Sequence, residues 1–102
     1  MPRKKSSQST HDRKVKEIAN KLNKQNWDVR ADVGGFVTPD GIGKKGFIPD
    51  VFATKGGKTK IIEVDTPRTV DEDQLATFRR SAAHRDSADF EHVITRPRTK
   101  KG

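Results

Sequence analysis

The segment 47–65 constrains the fold most, because it has the pattern of a β-hairpin. Two runs rich in β-branched and aromatic residues, 51–54 and 59–64, flank the dipeptide Gly56-Gly57. Adjacent glycines accept the positive φ angles of a two-residue primed turn, which is the commonest connection between antiparallel strands. The chain therefore contains two strands that are neighbours both in sequence and in space.

The turn also predicts which residues face each other. A turn at the two glycines pairs Lys55 with Lys58 and, counting outward, places Asp50 opposite Glu63. Directly opposed residues share one face of a sheet, with Cβ atoms about 4.5–5.5 Å apart. Asp65, two residues after Glu63, points from the same face. Three carboxylates this close repel one another unless a cation lies among them, and Mg²⁺ or Mn²⁺ is the natural candidate.

Burial strengthens this interpretation, because Glu63 and Asp65 lie in a strand that is apolar on both faces. A buried carboxylate that is neither paired, protonated nor metal-bound costs several kcal/mol. The alternative is a structural salt-bridge cluster, in which Lys44, Lys45 or Arg68 would pair with the acids. A carboxylate-held Mg²⁺ or Mn²⁺ suits phosphodiester hydrolysis, so the pattern favours a metal-dependent nuclease.

The charge of the chain points to DNA as a partner. The sequence has 102 residues, enough for one small domain, and only 29% of them are hydrophobic. Seven units of its net charge of +8 lie in two short ends without acids, which are basic at positions Arg3, Lys4, Lys5, Arg96, Arg98, Lys100 and Lys101. We expect a disordered basic arm at 1–8, a domain at 9–95 and a disordered basic tail at 96–102. Such ends commonly contact nucleic acid, although solubilising disorder alone is the alternative.

Other functions are disfavoured by what the sequence lacks. It contains no cysteine, which excludes disulfides and thiolate metal sites. No apolar run approaches membrane-spanning length. We therefore expect no membrane partner and a soluble protein of the cytoplasm of a prokaryotic or virus-infected cell.

The order of elements predicts an α/β domain with two helices flanking a central sheet. Apolar spacing and a Ser9–Asp12 capping box predict a first helix, and a Thr69–Glu72 box predicts a second. The predicted elements are a helix at 10–25, a strand at 27–33, the two hairpin strands, a helix at 70–84 and a strand at 90–95. A Gly-rich loop at 34–46 precedes the hairpin. Its Lys44 and Lys45, with Arg68 after the acidic strand, are the candidate DNA-binding residues.

These motifs resemble the PD-(D/E)XK nucleases, and within that superfamily the small archaeal Holliday-junction resolvases. The resemblance lies in the α-β-β-β-α-β order, in Pro49-Asp50 before one strand and in Glu63-Val64-Asp65 on the next. It implies a restriction-endonuclease-like core with a mixed sheet, and it makes Asp50 and Glu63 metal ligands. It also implies that Gln74, four residues before Phe78, assists the site; the alternative is an ordinary polar residue in the first turn of a helix.

The sequence departs from this family at one position. The family lysine, two residues beyond the Glu, is replaced here by Asp65. Lys44, Lys45 or Arg68 could take its place from a loop, Asp65 could hold a second metal, or the site could bind without cutting. Lys58 and Lys60 point to the opposite face.

The first helix often supplies a further acid in this family. Asp12 lies at the edge of the predicted apolar stripe, whereas Glu17 lies on its far side and should face solvent. Asp12 is therefore the tentative additional metal ligand, with N-terminal capping as the alternative. His11 lies near the stripe and is given no further role.

Three functions follow from these patterns. The first is a divalent-metal-dependent DNA endonuclease, structure- or junction-specific and homodimeric, because two copies supply two sites for two strands. The second is a DNA-binding protein that has lost catalysis together with the lysine. The third is a small basic RNA-associated protein whose acids are structural.

Overall fold

The predicted order of elements is confirmed by the computed structural model, which describes residues 5–95. The elements are α1 (Lys5–Lys24), β1 (Asp28–Ala31), β2 (Val51–Lys55), β3 (Lys58–Asp65), α2 (Glu72–His84) and β4 (Ala88–Ile94). Residues 1–4 and the predicted tail at 96–102 lie outside the described residues. The result is an α/β domain with a four-stranded sheet between two helices, as the sequence predicts.

The sheet is mixed and follows the chain order β1-β2-β3-β4. β1 and β2 are antiparallel, β2 and β3 are antiparallel, and β3 and β4 are parallel. Parallel neighbours need a crossover connection, which α2 provides. Helix α2 therefore determines which residues of β4 come to lie beside the acidic strand.

The hairpin has the predicted register. Gly56 and Gly57 have φ angles of 53° and 84°, the positive values of a primed turn. Lys55 lies opposite Lys58, and the pairing continues to Val51 opposite Ile62. The next pair outward is Asp50 with Glu63, so the turn positions the two acids as expected.

Helix α1 covers one face of the sheet. The side chains of its apolar stripe, Val15, Ala19 and Leu22, are buried. They pack against five buried strand residues, Ala31, Val51, Ala53, Ile62 and Val64. Each fully buried aliphatic side chain contributes about 1.5–3 kcal/mol relative to exposure, so this layer fixes α1 on the sheet.

Helix α2 covers the other face, the one that carries the acids. Phe78 is fully buried and packs with Ile61, which precedes Glu63 by two positions on β3. The Phe78 ring lies 6.4 Å from that of Phe47 and 6.0 Å from that of Phe90, at the centroid separations of favourable aromatic pairs. The acidic end of this face is thus continuous with an aromatic core.

Both helix starts differ from the sequence prediction. Helix α1 begins at Lys5, so residues 5–8, which we expected in the arm, form its first turns, and Asp12 lies in the helix interior. Helix α2 begins at Glu72, and its N-cap is Asp71, whose carboxylate accepts from the backbone amide of Gln74 at 3.2 Å. The N-cap is therefore an Asp, a residue more favourable there than the Thr69 that we predicted.

The strands and the Gly-rich loop also differ in detail. β1 covers only Asp28–Ala31, and β4 begins two residues earlier than predicted. The loop contains an isolated bridge between Ile42 and Phe47, so its lysines lie on a short turn. Within residues 5–95 the structure has no helix of the length and apolarity that crossing a membrane requires.

Candidate active site

The candidate site is built around a direct contact between Asp50 and Glu63. Both residues are buried, with 7% and 6% of their surface exposed. The backbone amide of Asp50 donates to Oε1 of Glu63 at 3.3 Å, and the amide of Val64 donates to Oδ2 of Asp50 at 2.8 Å. These bonds hold the two carboxyl groups close together across the hairpin. Such proximity is what the prediction of a shared metal ion requires.

The pair holds a proton. Burial raises the pKa of Glu63 to about 9, and the negative charge of Asp50, a hydrogen bond between the two side chains and the charge of Asp65 add to the increase. Glu63 is therefore protonated at neutral pH and shares its proton with the Asp50 carboxylate. A divalent cation would supply the positive charge that this proton now supplies.

His11 is a member of the site that sequence reasoning missed. Its ring reaches Asp50 from helix α1, with Nε2 3.1 Å from Oδ1 of Asp50. Nδ1 of the same ring lies 3.0 Å from Oδ1 of Asp12. The sequence did contain one indication of this role, since His11 lies near the apolar stripe of α1. In the structure this position leaves His11 only 7% exposed, facing the sheet.

Asp12 thus joins the site through His11. Its side chain is 44% exposed, and the carboxylate takes part in the contact with the His11 ring. The N-terminal capping alternative does not apply, because α1 begins seven residues earlier. Glu17 faces solvent as predicted, where it pairs with Lys14 at 3.4 Å.

Asp65 is buried beside this pair but is held by other partners. Its Oδ1 accepts from the Thr69 hydroxyl at 2.9 Å, and its Oδ2 lies 2.9 Å from Nε2 of His92. Thr69 belongs to the turn that follows β3, and its hydroxyl also accepts from the amide of Thr66 at 2.9 Å. His92 lies on β4 directly opposite Glu63. Both carboxylate oxygens of Asp65 therefore already have protein donors.

The donor set fits a divalent ion that takes two protein carboxylates. Mg²⁺ is commonly bound by one or two carboxylates together with water and substrate phosphate. Asp50 and Glu63 meet this requirement, because they are adjacent hard oxygen donors that share a displaceable proton. Among residues 5–95 no group of three or more His, Cys, Asp or Glu side chains is arranged to surround one ion. Ligation by Asp65 or Asp12 remains a prediction.

The partners of the buried acids bear on the salt-bridge alternative. In the described part of the chain, neither lysine nor arginine forms an ion pair with Asp50, Glu63 or Asp65. Lys45 instead pairs with Asp73 at 3.5 Å. Histidines take the place that the structural alternative gives to lysine or arginine.

The candidate DNA-binding residues are exposed. Lys44 and Lys45 are the central residues of the turn between Ile42 and Phe47, and Arg68 lies in the turn after β3. The turn lies close against α2, since a Cβ atom at Gly43 would lie 2.7 Å from Cγ2 of Thr77. The loop lysines therefore lie near the first half of α2.

Gln74 lies in the first turn of α2 and is half-buried. Its backbone amide completes the N-cap, whereas its side chain forms no hydrogen bond with any residue of the described range. Lys60 is on the other face, as parity predicts, with Nζ 5.5 Å from the centroid of the Trp27 ring.

Comparison with known proteins gives one structural likeness. No protein-family model matches the chain, and no curated protein matches it. A similar fold is found in the solved structure of Hjc from Archaeoglobus fulgidus, a Holliday junction resolvase from an archaeal hyperthermophile. The match covers 86% of this chain and 69% of that chain, with 23% identity and a TM-score of 0.49. That protein is of the kind that the sequence pattern resembles. At this similarity, the activity of the present chain has to be inferred from its own side chains.

Proposed function

We propose that the chain is a divalent-metal-dependent endonuclease that hydrolyses phosphodiester bonds in DNA. The observation that carries the proposal is the buried contact between Asp50 and Glu63, in which burial and the Asp50 charge raise the pKa of Glu63 to about 9. An acid pair that must hold a proton in a buried place is poorly explained as a stabilising feature. It is well explained as the binding place of a cation.

The residues around the pair have separate tasks in this proposal. Asp50 and Glu63 hold Mg²⁺ or Mn²⁺, while the Val64 amide and the His11 ring fix the two oxygens of Asp50. When bound, the ion would polarise a phosphoryl oxygen and stabilise the charge of the leaving oxygen. Asp65 and Gln74 remain predicted participants in catalysis.

DNA is the proposed substrate because of where the basic residues lie. The exposed Lys44 and Lys45 lie on a turn close against α2, and Arg68 is exposed three residues after Asp65. Such residues suit contacts with phosphates, which position a duplex without reading its sequence. We therefore propose recognition of DNA shape, with a branched or junction substrate as the specific form. A homodimer, in an intracellular setting, would supply one site for each of two strands.

Cleavage of branched and linear DNA in Mg²⁺ or Mn²⁺ tests the proposal. The purified protein should cut at least one such substrate, and chelation of the metal should stop the reaction. Asp50→Asn and Glu63→Gln should each lower the rate at least 100-fold, because each removes a proposed ligand. Glu72→Gln is the matched control, since it makes the same chemical change at an exposed acid of α2.

Three results would contradict the proposal in different ways. Salt-sensitive DNA binding without cleavage of any substrate would favour a non-catalytic DNA-binding protein. Equal cleavage by the wild type and Glu63→Gln would indicate a contaminating nuclease. A preference for RNA without metal binding would favour the structural interpretation of the acids.

A further inference from the structure

His92 lies beside the acid pair although it is distant from it in sequence. The parallel register of β3 and β4 places it directly opposite Glu63, so the two side chains start from neighbouring strands about 5 Å apart on one face. Its side chain is 19% exposed, in contrast with the buried acids. An imidazole at this position has access both to the acidic site and to solvent.

The hydrogen bonds of Asp65 determine which nitrogen of this ring is available. Asp65 accepts from Thr69 at Oδ1 and contacts Nε2 of His92 at Oδ2. A carboxylate only accepts hydrogen bonds, so Nε2 is the donor in this contact, and Nδ1 is the ring nitrogen that Asp65 leaves without a bond. A carboxylate that fixes an imidazole in this way is a recurrent means of holding a catalytic base in one tautomer.

Nδ1 of His92 is open to water. Within residues 5–95 this nitrogen has no hydrogen-bond partner. No buried side-chain nitrogen or oxygen in the same range lacks a partner, so Nδ1 is not enclosed by protein. A water molecule can therefore reach Nδ1 from solvent, on a residue that pairs with Glu63 across the two strands.

Two of the described lysines are engaged elsewhere. Lys45 is engaged with Asp73, and Lys60 lies over the Trp27 ring on the opposite face. The position where the resembled family has a lysine carries Asp65, which is bonded to His92. The residue at the position of the family lysine is therefore hydrogen-bonded to the imidazole of His92 on β4.

We infer that His92, held by Asp65, orients and deprotonates the water that attacks the phosphodiester, an inference that rests on the proposed nuclease function. The water oxygen forms a bond to phosphorus as the bond between phosphorus and the leaving oxygen breaks. One water proton passes to Nδ1 of His92 and then to solvent, and the leaving oxygen takes a proton from solvent. Asp65 acts as the positioning residue, because it keeps Nδ1 free.

Single-turnover cleavage of DNA by His92 variants tests this inference. His92→Gln keeps a donor for Asp65 but has no basic nitrogen, and His92→Ala leaves a space that free imidazole can enter. Cleavage by either variant should fall by about 10²–10⁴-fold, while Mn²⁺ affinity and DNA affinity change less than about threefold. Added imidazole should restore part of the rate to His92→Ala and none to His92→Gln. His84→Ala, at the exposed end of α2, is the matched control and should cleave like the wild type.

The outcomes separate this inference from the proposed function. Wild-type protein that cuts no DNA overturns both. A cutting wild type with a fully active His92→Gln overturns only the role of His92, as does a slow His92→Ala that imidazole does not restore. If His92→Ala fails to fold, the rate of the folded His92→Gln decides the question, with a thermal melt to confirm its fold.

Discussion

Oε1 of Glu63 accepts a hydrogen bond from the backbone amide of Asp50 across the β2–β3 hairpin, in a place where both residues are buried. If both carboxyl groups were ionised, they would repel each other strongly in this poorly hydrated site. With Glu63 protonated, this repulsion is absent. A cation bound at the pair, as proposed, would take the place of that proton.

The stability of the metal-free protein should fall as the pH rises from about 4.5 to about 9. In this window the folded Glu63 retains a proton that the unfolded chain has lost, so the native state binds more protons and deprotonation favours unfolding. The decline should approach, at most, about 1.4 kcal/mol per pH unit. Urea unfolding in the presence of a chelator, from pH 5.5 to 9, measures this decline in the free energy of unfolding. Glu63→Gln should flatten this part of the profile, and an unchanged slope in the variant would count against the assignment.

Metal binding should release protons. At pH 7 the site must lose the Glu63 proton to accept Mn²⁺, so close to one proton should leave for each ion bound. Calorimetry in two buffers of different ionisation enthalpy gives this number. The release should decrease above about pH 9, where the folded Glu63 is already ionised. Release near zero at pH 7 would show that the ion binds elsewhere.

His11→Ala should weaken Mn²⁺ binding by about 10–100-fold, because partners that orient a metal ligand commonly have effects of this size. Asp12→Asn should have a smaller effect, since its partly exposed carboxylate touches His11 and not Asp50. Calorimetric titration with Mn²⁺ compares the two with His84→Ala. Wild-type affinity in His11→Ala would refute a supporting role for this ring.

Gly43→Ala should destabilise the lysine turn. Its φ of +79° is unfavourable for alanine, and the added Cβ would lie 2.7 Å from Cγ2 of Thr77 on α2. We expect a loss of about 1–3 kcal/mol in the free energy of unfolding, together with weaker DNA binding. Gly34→Ala is the control, because a Cβ there meets no atom within 4 Å and its φ is not positive. Similar stabilities of the two variants in urea would contradict the prediction.

The hairpin and its acid pair could be predicted because the constraints are local. A Gly-Gly turn allows one register, and a strand period of two then fixes the face of each acid. The contact between Asp50 and Glu63 confirms that counting. The α/β architecture followed from the order of apolar patterns along the chain, and the mixed sheet was implied by the family resemblance.

The place of His92 could not be predicted, since it depends on non-local packing. The crossover through α2 determines which residue of β4 lies opposite Glu63. The sequence around His92 contains no pattern that indicates this pairing. His11 was missed for a different reason. Ser9 and Asp12 have the pattern of a capping box, but the helix extends back to Lys5, and this places His11 over the sheet edge.

The position of His11 has a practical consequence for work with this protein. Helix α1 holds its core contacts through Val15, Ala19 and Leu22, all of them later in the chain. A shortened form that starts after Asp12 would retain these contacts and could fold, yet it would lack the ring that fixes Asp50. Such a form would give a normal result in a folding assay although the surroundings of its Asp50–Glu63 pair had changed.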